Sequence, residues 1–392
     1  MPAIYFRVMN TDMNTQDNPV GNIIGALPLS NIIKAAKPAK QLSQAPTVVY
    51  LTAISPNSYV VVLSCGIIAV IETLIQRFSP TSASAADPLS AQALIAASIQ
   101  QSAQTLIHLT PRIAKAYVVP TGILSSLTAA TSMQIAADTL VAVGSAAGVL
   151  SLVNCNTGAM FSWIAGFPVQ ELVQSSQNDN ITIMTGDDTI TTSGLPVTSL
   201  VLSDAALIVG TSSGTLLHHS LTSGTSSGIS HIPDLLFSHT VAPSAITAIL
   251  SHPHATLATS CYLLSAANGV VYTYRPHSAT RAHTNSSSNP VVPIYASDAA
   301  IVRMATVSWA NILTLADSAG RLTFLRSTEP SSGVAQVVAS PAGGEGQWTI
   351  VSAEPVLQGT VAALAVDAPS KVLLAVSGGN MKYTHLLFKT EL

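Results

Sequence analysis

Two segments carry the G-x-S-x-G spacing of a hydrolase nucleophile: Gly210-Thr211-Ser212-Ser213-Gly214 and Gly224-Thr225-Ser226-Ser227-Gly228. That spacing does chemistry where a strand runs straight into a helix and the serine sits on the strained elbow between them. Strand-like sequence flanks the first copy on both sides, and a Ser/Gly-rich stretch surrounds the second. Both read as turns, and Ser212 and Ser226 are expected to carry no catalysis.

Histidine is the next candidate, because eight of the ten fall between His218 and His283. A zinc site wants Cys and His pairs at short spacing. His218-His219 would instead point to opposite faces of a strand, and His252-Pro253-His254 has the composition of a turn. Only Cys261 lies among them, so no metal site and no cofactor is expected. Lys34, Lys37 and Lys40, in KAAKPAK, form the one basic cluster and read as a solvated connector. Asp187-Asp188 is the one acidic pair, again in a turn, and neither a P-loop nor a Rossmann fingerprint is present.

The elements that would hold these residues are unusual in composition. Charged residues make up 8% of the 392, against roughly 25% in an ordinary soluble domain. Ser and Thr fill the deficit, outnumbering the charged residues by more than two to one. Mean hydropathy is +0.46. A chain that is 48% hydrophobic can bury a large core, which argues against disorder. A net charge of -3 argues against a basic nucleic-acid surface, and no direct nucleic-acid binding is expected. Three scattered cysteines, Cys65, Cys155 and Cys261, exclude a disulfide scaffold.

The hydropathy raises the question of membrane spans, which need about 20 consecutive apolar residues. The charge-free stretches 41–71 and 139–170 are broken by turn clusters at Pro56-Asn57-Ser58 and at Asn154-Cys155-Asn156-Thr157-Gly158. The remaining runs, Tyr59 to Ile71 and Leu140 to Val153, have the length of strand pairs. No transmembrane segment is expected. The N-terminus MPAIYFRVMNTDMN lacks the charged and apolar regions of a signal peptide, so a cytoplasmic location with reduced thiols is expected.

Self-similarity organises the chain. The segment VTSLVLSDAALIVGTSSGTLLHHSL, from Val197, reads strand, turn, strand, glycine turn, strand. The same grammar starts at Val48, Leu124, Ile246, Ile301 and Val361, which makes six copies. Runs such as Tyr59-Val60-Val61-Val62-Leu63 are apolar on both faces, as strands between packed sheets must be. A glycine closes each tight turn: Gly66, Gly148, Gly214, Gly269, Gly320, and Gly378 or Gly379. Fourth strands are expected at 113–119, 159–166 and 348–352. A hairpin within 169–192 would supply a seventh copy, and the strand Ala3 to Val8 could complete the last one.

Repeated four-stranded antiparallel units are the pattern of a β-propeller. From about Val48 to Phe388 the chain resembles the WD-repeat family in degenerate form. Gly-His and Trp-Asp signatures are absent, and the nearest strand endings are Tyr274-Arg275 and Leu325-Arg326. The family's Asp-His-Ser-Trp set is therefore not carried over, and the copies are spaced more widely than the ~40–45 residues of a regular repeat. The resemblance implies an all-β, WD-repeat-like propeller, as one domain over 46–392 with an N-terminal extension over 1–45. The six copies and the 169–192 hairpin give an expected count of seven blades, with six and eight left open.

One segment leaves the β grammar. Asp87-Pro88 is a helix start, and Leu94, Ile95, Ile99 and Leu106 follow at near-helical spacing. A helical insert over 84–109 is expected inside the first blade, with these four residues as candidate partner-binding positions. The expected function is a non-catalytic intracellular scaffold that binds other proteins as a subunit of a larger assembly. Cytoskeletal, ciliary, trafficking and RNA-processing complexes all use such subunits. The alternatives are a membrane-surface or trafficking adaptor, and an enzyme with its site in the propeller channel.

Overall fold

The computed structural model describes residues 3–9, 20–38, 46–78, 106–121, 125–135, 138–166, 184–185, 188–189, 194–221, 233–251, 261–276, 291–307, 310–327, 348–355, 359–367, 372–377 and 380–385. The chain divides into two compact units, Met1–Val119 and Pro120–Leu392.

The first unit opens with an antiparallel pair, β1 (Ala3–Met9) and β2 (Val20–Pro28), followed by α1 (Leu29–Ala36). The expected strand Ala3–Val8 is present as β1, and its described partner is β2. A four-stranded antiparallel sheet follows in the order β3 (Val48–Ser55), β4 (Ser58–Leu63), β5 (Ile67–Phe78) and β6 (Leu106–Val118). In this register Val61 faces Ala69, and Leu63 faces Ile67. Cross-strand partners share a face, and Ile4, Leu27, Leu29 and Ile32 pack onto this one. Only eight residues long, α1 would be marginal alone. Its stripe Leu29, Ile32, Ile33 and Ala36, at i, i+3, i+4 and i+7, is what the sheet holds. Lys37 ends the helix in a left-handed conformation, donating its N–H to the Ile33 carbonyl.

Among the described residues the second unit has four four-stranded sheets. They are β7–β10 (Leu127–Ile135, Asp138–Ser145, Val149–Asn154, Met160–Ile164) and, after the short pair β11 (Met184–Thr185) and β12 (Asp188–Thr189), β13–β16 (Val197–Leu202, Ala206–Thr211, Thr215–Ser220, Asp234–Thr240). Then come β17–β20 (Ile246–Ser251, Tyr262–Ala266, Val270–Tyr274, Val291–Ala296) and β21–β24 (Ile301–Val307, Ile312–Asp317, Arg321–Ser327, Trp348–Pro355). A last sheet has three described strands, β25 (Val361–Asp367), β26 (Val372–Ser377) and β27 (Asn380–His385).

The sheets stack face to face, and the period-2 alternation of each strand decides which seam a residue fills. Leu207, Val209 and Leu217 meet Leu150, Leu152 and Trp163 of the preceding sheet. Their neighbours Ile208 and Leu216 meet Ile246, Leu264 and Tyr274 of the following one. The alternation continues onward, with Leu313 and Leu315 in one seam and Ile312 and Ala316 in the next. First strands of consecutive sheets lie side by side, β7 by β13, β13 by β17, β17 by β21 and β21 by β25. The fold is all-β with repeated four-stranded antiparallel sheets, as a β-propeller has.

The expected helical insert lies mostly outside the described residues, with Leu94, Ile95 and Ile99. Leu106 is a correction: it is the first residue of β6, paired with Phe78. Period-2 pairing against β5 overrides its helical spacing from Ile99. The described helix is α1, in the stretch read as a connector.

Candidate functional site

Each sheet has the same construction at the start of its first strand. A β-bulge falls on the second residue in all six: Val49, Thr128, Thr198, Thr247, Val302 and Ala362. A bulge re-aims a side chain and increases the local twist. In three consecutive sheets the re-aimed residue is threonine, and its hydroxyl reaches the next sheet. Thr128 Oγ1 lies 2.6 Å from the Val197 carbonyl, and Thr198 Oγ1 lies 2.7 Å from that of Ile246. Thr247 Oγ1 makes the same bond to Ile301. Each hydroxyl also faces a carbonyl of its own sheet's second strand, Gly144, Gly210 or Ser265, at a longer distance. With one proton to donate, the shorter bond to the next sheet takes it. In the following sheet Val302 has no hydroxyl, and Arg303 substitutes, donating Nε–H to the Ala362 carbonyl at 2.9 Å.

The hairpin between second and third strands is equally regular. Gly66, Gly148, Gly214, Gly269 and Gly320 all have φ between 77° and 85°, as expected for the turn. Gly214 and Gly269 have a second constraint. A Cβ on Gly214 would stand 2.0 Å from the Ala242 carbonyl oxygen, and one on Gly269 2.3 Å from that of Ser297. The chain entering the next sheet passes directly over these turns. Gly210 to Gly214 is such a hairpin, with β14 on one side and β15 on the other. Ser212 is exposed, and Ser213 bonds Thr211 and Thr215. The strand-to-helix elbow of a serine hydrolase is not formed there. The Gly224–Gly228 copy lies outside the described residues.

His218 and His219 occupy opposite faces of β15, as their adjacency predicts. His218 Nδ1 and the Tyr274 hydroxyl are 2.9 Å apart. Phe237 stacks on Tyr274 beside them, with centroids 5.5 Å apart. On the other face His219 meets Trp163 edge-on, at 5.6 Å between centroids, and donates Nδ1–H to the Pro233 carbonyl at 3.4 Å. Burial pushes both imidazoles toward the neutral form, His219 down to about 4. Sequence spacing identifies the two faces but not Trp163, which comes from another sheet. Among the described residues no group of three or more His, Cys, Asp or Glu could hold a metal ion. His252 and His254 lie outside them. No helix among the described residues is long and apolar enough to cross a membrane.

Charge is sparse, and among the described residues Asp317 is the one buried Asp, Glu, Lys or Arg. Arg321 bridges the buried Asp317 at 2.9 Å and the exposed Asp298 at 2.7 Å, and its guanidinium holds the Asp298 carboxyl below its ordinary value. Lys34 and Lys37 are exposed at the C-terminal end of α1, while Lys40 lies outside the described residues.

Exposed large apolar side chains occur in both units, Tyr5, Val48, Leu51, Leu74 and Val118 in the first and three on outer strands of the second. Leu236 on β16 is 63% exposed and Ile350 on β24 is 61% exposed, with Val351 beside it. Leu236 and Val351 are bulge residues, each skipped in the pairing with the third strand. Outer-strand bulges also fall on Ala114 and Ile294. A bulged edge resists flat strand addition, so these positions offer side chains to a neighbour rather than a backbone ladder. Of the four expected partner-binding residues, only Leu106 lies in a described element, and it belongs to the β5–β6 pair rather than to a helix. No protein-family model matches the chain, and no curated protein is significantly similar to it.

Proposed function

We propose that this chain is a degenerate WD-repeat-like β-propeller of seven blades that acts as a non-catalytic scaffold inside a multi-protein assembly. The observation that carries the reading is the exposure of Leu236, Ile350 and Val351 on bulged outer strands. Large apolar side chains exposed on outer strands favour contact with another surface. The sheet interiors support the same reading: they are filled by aliphatic side chains and by hydroxyls already bonded to carbonyls. The direct packing of β7–β10 on β13–β16 leaves no place for a blade between them, so the hairpin expected within 169–192 is not where a seventh blade would stand. The expected partners are proteins, and the expected location is the cytoplasm.

The test is recovery of native complexes by affinity capture with mass spectrometry, comparing the wild-type chain with Leu236→Asp and Ile350→Asp. Both positions are solvent-exposed, so the variants should fold with unchanged thermal midpoints and lose partners. Unchanged partner recovery from both variants rejects these strands as the docking surface. A hydrolase activity abolished by Ser212→Ala would reject the non-catalytic reading.

A further inference from the structure

We propose that His218 and His219 form an acid-sensitive latch, holding three consecutive sheets together while both imidazoles are neutral and releasing them where free imidazole takes up a proton. Placement carries the argument. β15 belongs to the middle sheet of the three, and its two histidines enter the two seams that flank that sheet. His218 lies among Tyr274 and Phe237 on one side, and His219 lies against Trp163 on the other. His219 is fully buried. With Nδ1–H given to the Pro233 carbonyl, its Nε2 is left as an acceptor, and no partner meets it. Trp163 Nε1–H is unpartnered in the same seam. A proton added to His219 therefore sets a full charge and a second N–H against an indole and aliphatic walls. Burying such a charge without a partner is strongly unfavourable.

Among the described residues no neighbouring group offers compensation. β13, β14 and β17 carry no titratable side chain. β16 carries Asp234 and His239, both exposed. The preceding sheet carries Asp138, with Cys155 just beyond β9. The following sheet carries Tyr262, Tyr272, Tyr274 and Tyr295, flanked by Cys261 and Arg275, and Asp204 sits in the β13–β14 turn. The described ion pairs lie elsewhere, at Arg112–Glu72 and at Arg321 with Asp298 and Asp317. Protonating both residues would also place two cations side by side on one strand. The bond between His218 and Tyr274 survives protonation only if the phenol oxygen accepts, because both imidazole nitrogens then carry protons.

The sign follows from linkage. The opened state takes up protons near 6.5, whereas folded His219 does so only near 4. Stability is fully present above the first value and falls as the pH drops between the two. His218 is displaced in the same direction and adds to the effect.

The test uses the full chain with Trp309→Phe and Trp348→Phe, which leaves Trp163 as the sole indole reporter. Between about pH 7.5 and about pH 4.5 the opening equilibrium at Trp163 should rise roughly a hundredfold, with a red-shifted emission and a falling thermal midpoint. His219→Leu should flatten that profile while the protein stays folded at neutral pH. An unchanged Trp163 signal, or an identical pH profile in His219→Leu, overturns the latch. Should His219→Leu fail to fold, amide exchange of the wild-type chain decides. After correction for intrinsic rates, β15 and β10 must lose protection on acidification before β22 does, and a uniform or absent loss overturns the proposal.

Discussion

The two units cover the same kind of sheet in different ways. In Met1–Val119, one apolar face of β3–β6 is covered by a helix and a two-stranded pair from the start of the chain. In Pro120–Leu392, each sheet is covered by the next copy of itself. The first residue of the first strand registers the difference. Val197, Ile246, Ile301 and Val361 are each 1% exposed, whereas Val48, in the same position ahead of the same bulge, is 42% exposed. Self-covering makes a repeat that needs neighbours on both sides. A helical cover ends that dependence on one face. Its close approach is built in at Gly25 of β2, where a Cβ would stand 2.4 Å from the Leu109 carbonyl oxygen of β6.

The sharpest way to break the second arrangement is at the turns. Gly214→Ala meets two obstacles together, a φ of 77° and a backbone oxygen 2.0 Å from the new Cβ. Backbone strain of this kind costs about 1–3 kcal/mol, and displacing the segment around Ala242 adds a comparable amount, for a total on the order of 4 kcal/mol. Thermal and denaturant unfolding should show the loss. If Gly214→Ala unfolds with the wild-type midpoint, the close passage of Ala242 over the turn is wrong.

Cavity substitutions compare the two covers directly. Ile32→Ala removes a fully buried anchor of α1, and Ile208→Ala removes a fully buried anchor of the seam toward β17–β20. Each should cost about 2–5 kcal/mol. They should differ in reach. Amide exchange should rise in β4 and β5 for Ile32→Ala, and in β14 and β18 for Ile208→Ala. Loss of protection across both regions from either substitution would contradict the division of the covers.

Much of this was legible in the sequence. The hairpin from Tyr59 to Ile71 and the turn glycines are local signals, because a tight turn dictates its residue. Sheet stacking was legible because Val60-Val61-Val62-Leu63 has no polar face to give to water. The miss at α1 has a physical cause. Its stripe of Leu29, Ile32, Ile33 and Ala36 is present, but Pro28 supplies no side-chain cap and the helix spans just over two turns. β2 was missed because its described partner, β1, is separated from it by residues 10–19, so the pairing is not a tight-turn hairpin that two adjacent residues would announce. The threonine bonds were not legible at all. A threonine near the start of a strand looks like ordinary β-propensity, and the bulge that turns its hydroxyl toward the next sheet is a property of pairing. Trp163 and His219 likewise meet only because two sheets stack.

The smallest expected effect tests how the self-covered sheets are aligned. Thr198→Val keeps the β-branched shape and deletes one hydroxyl, whose proton bonds the Ile246 carbonyl at 2.7 Å. The net cost of one such bond is about 1 kcal/mol, increased if the carbonyl is left without a donor. Ser199 limits that increase, because its own hydroxyl reaches the same carbonyl at 2.9 Å. Thr198→Val alone should therefore lower stability by no more than about 1 kcal/mol, and the double variant Thr198→Val/Ser199→Ala by more than the sum of the two single ones. Ser212→Ala, in an exposed turn, is the control and should stay within about 0.5 kcal/mol of wild type. Additivity in the double variant would show that the two hydroxyls do not share one acceptor, and that packing alone aligns β13 with β17.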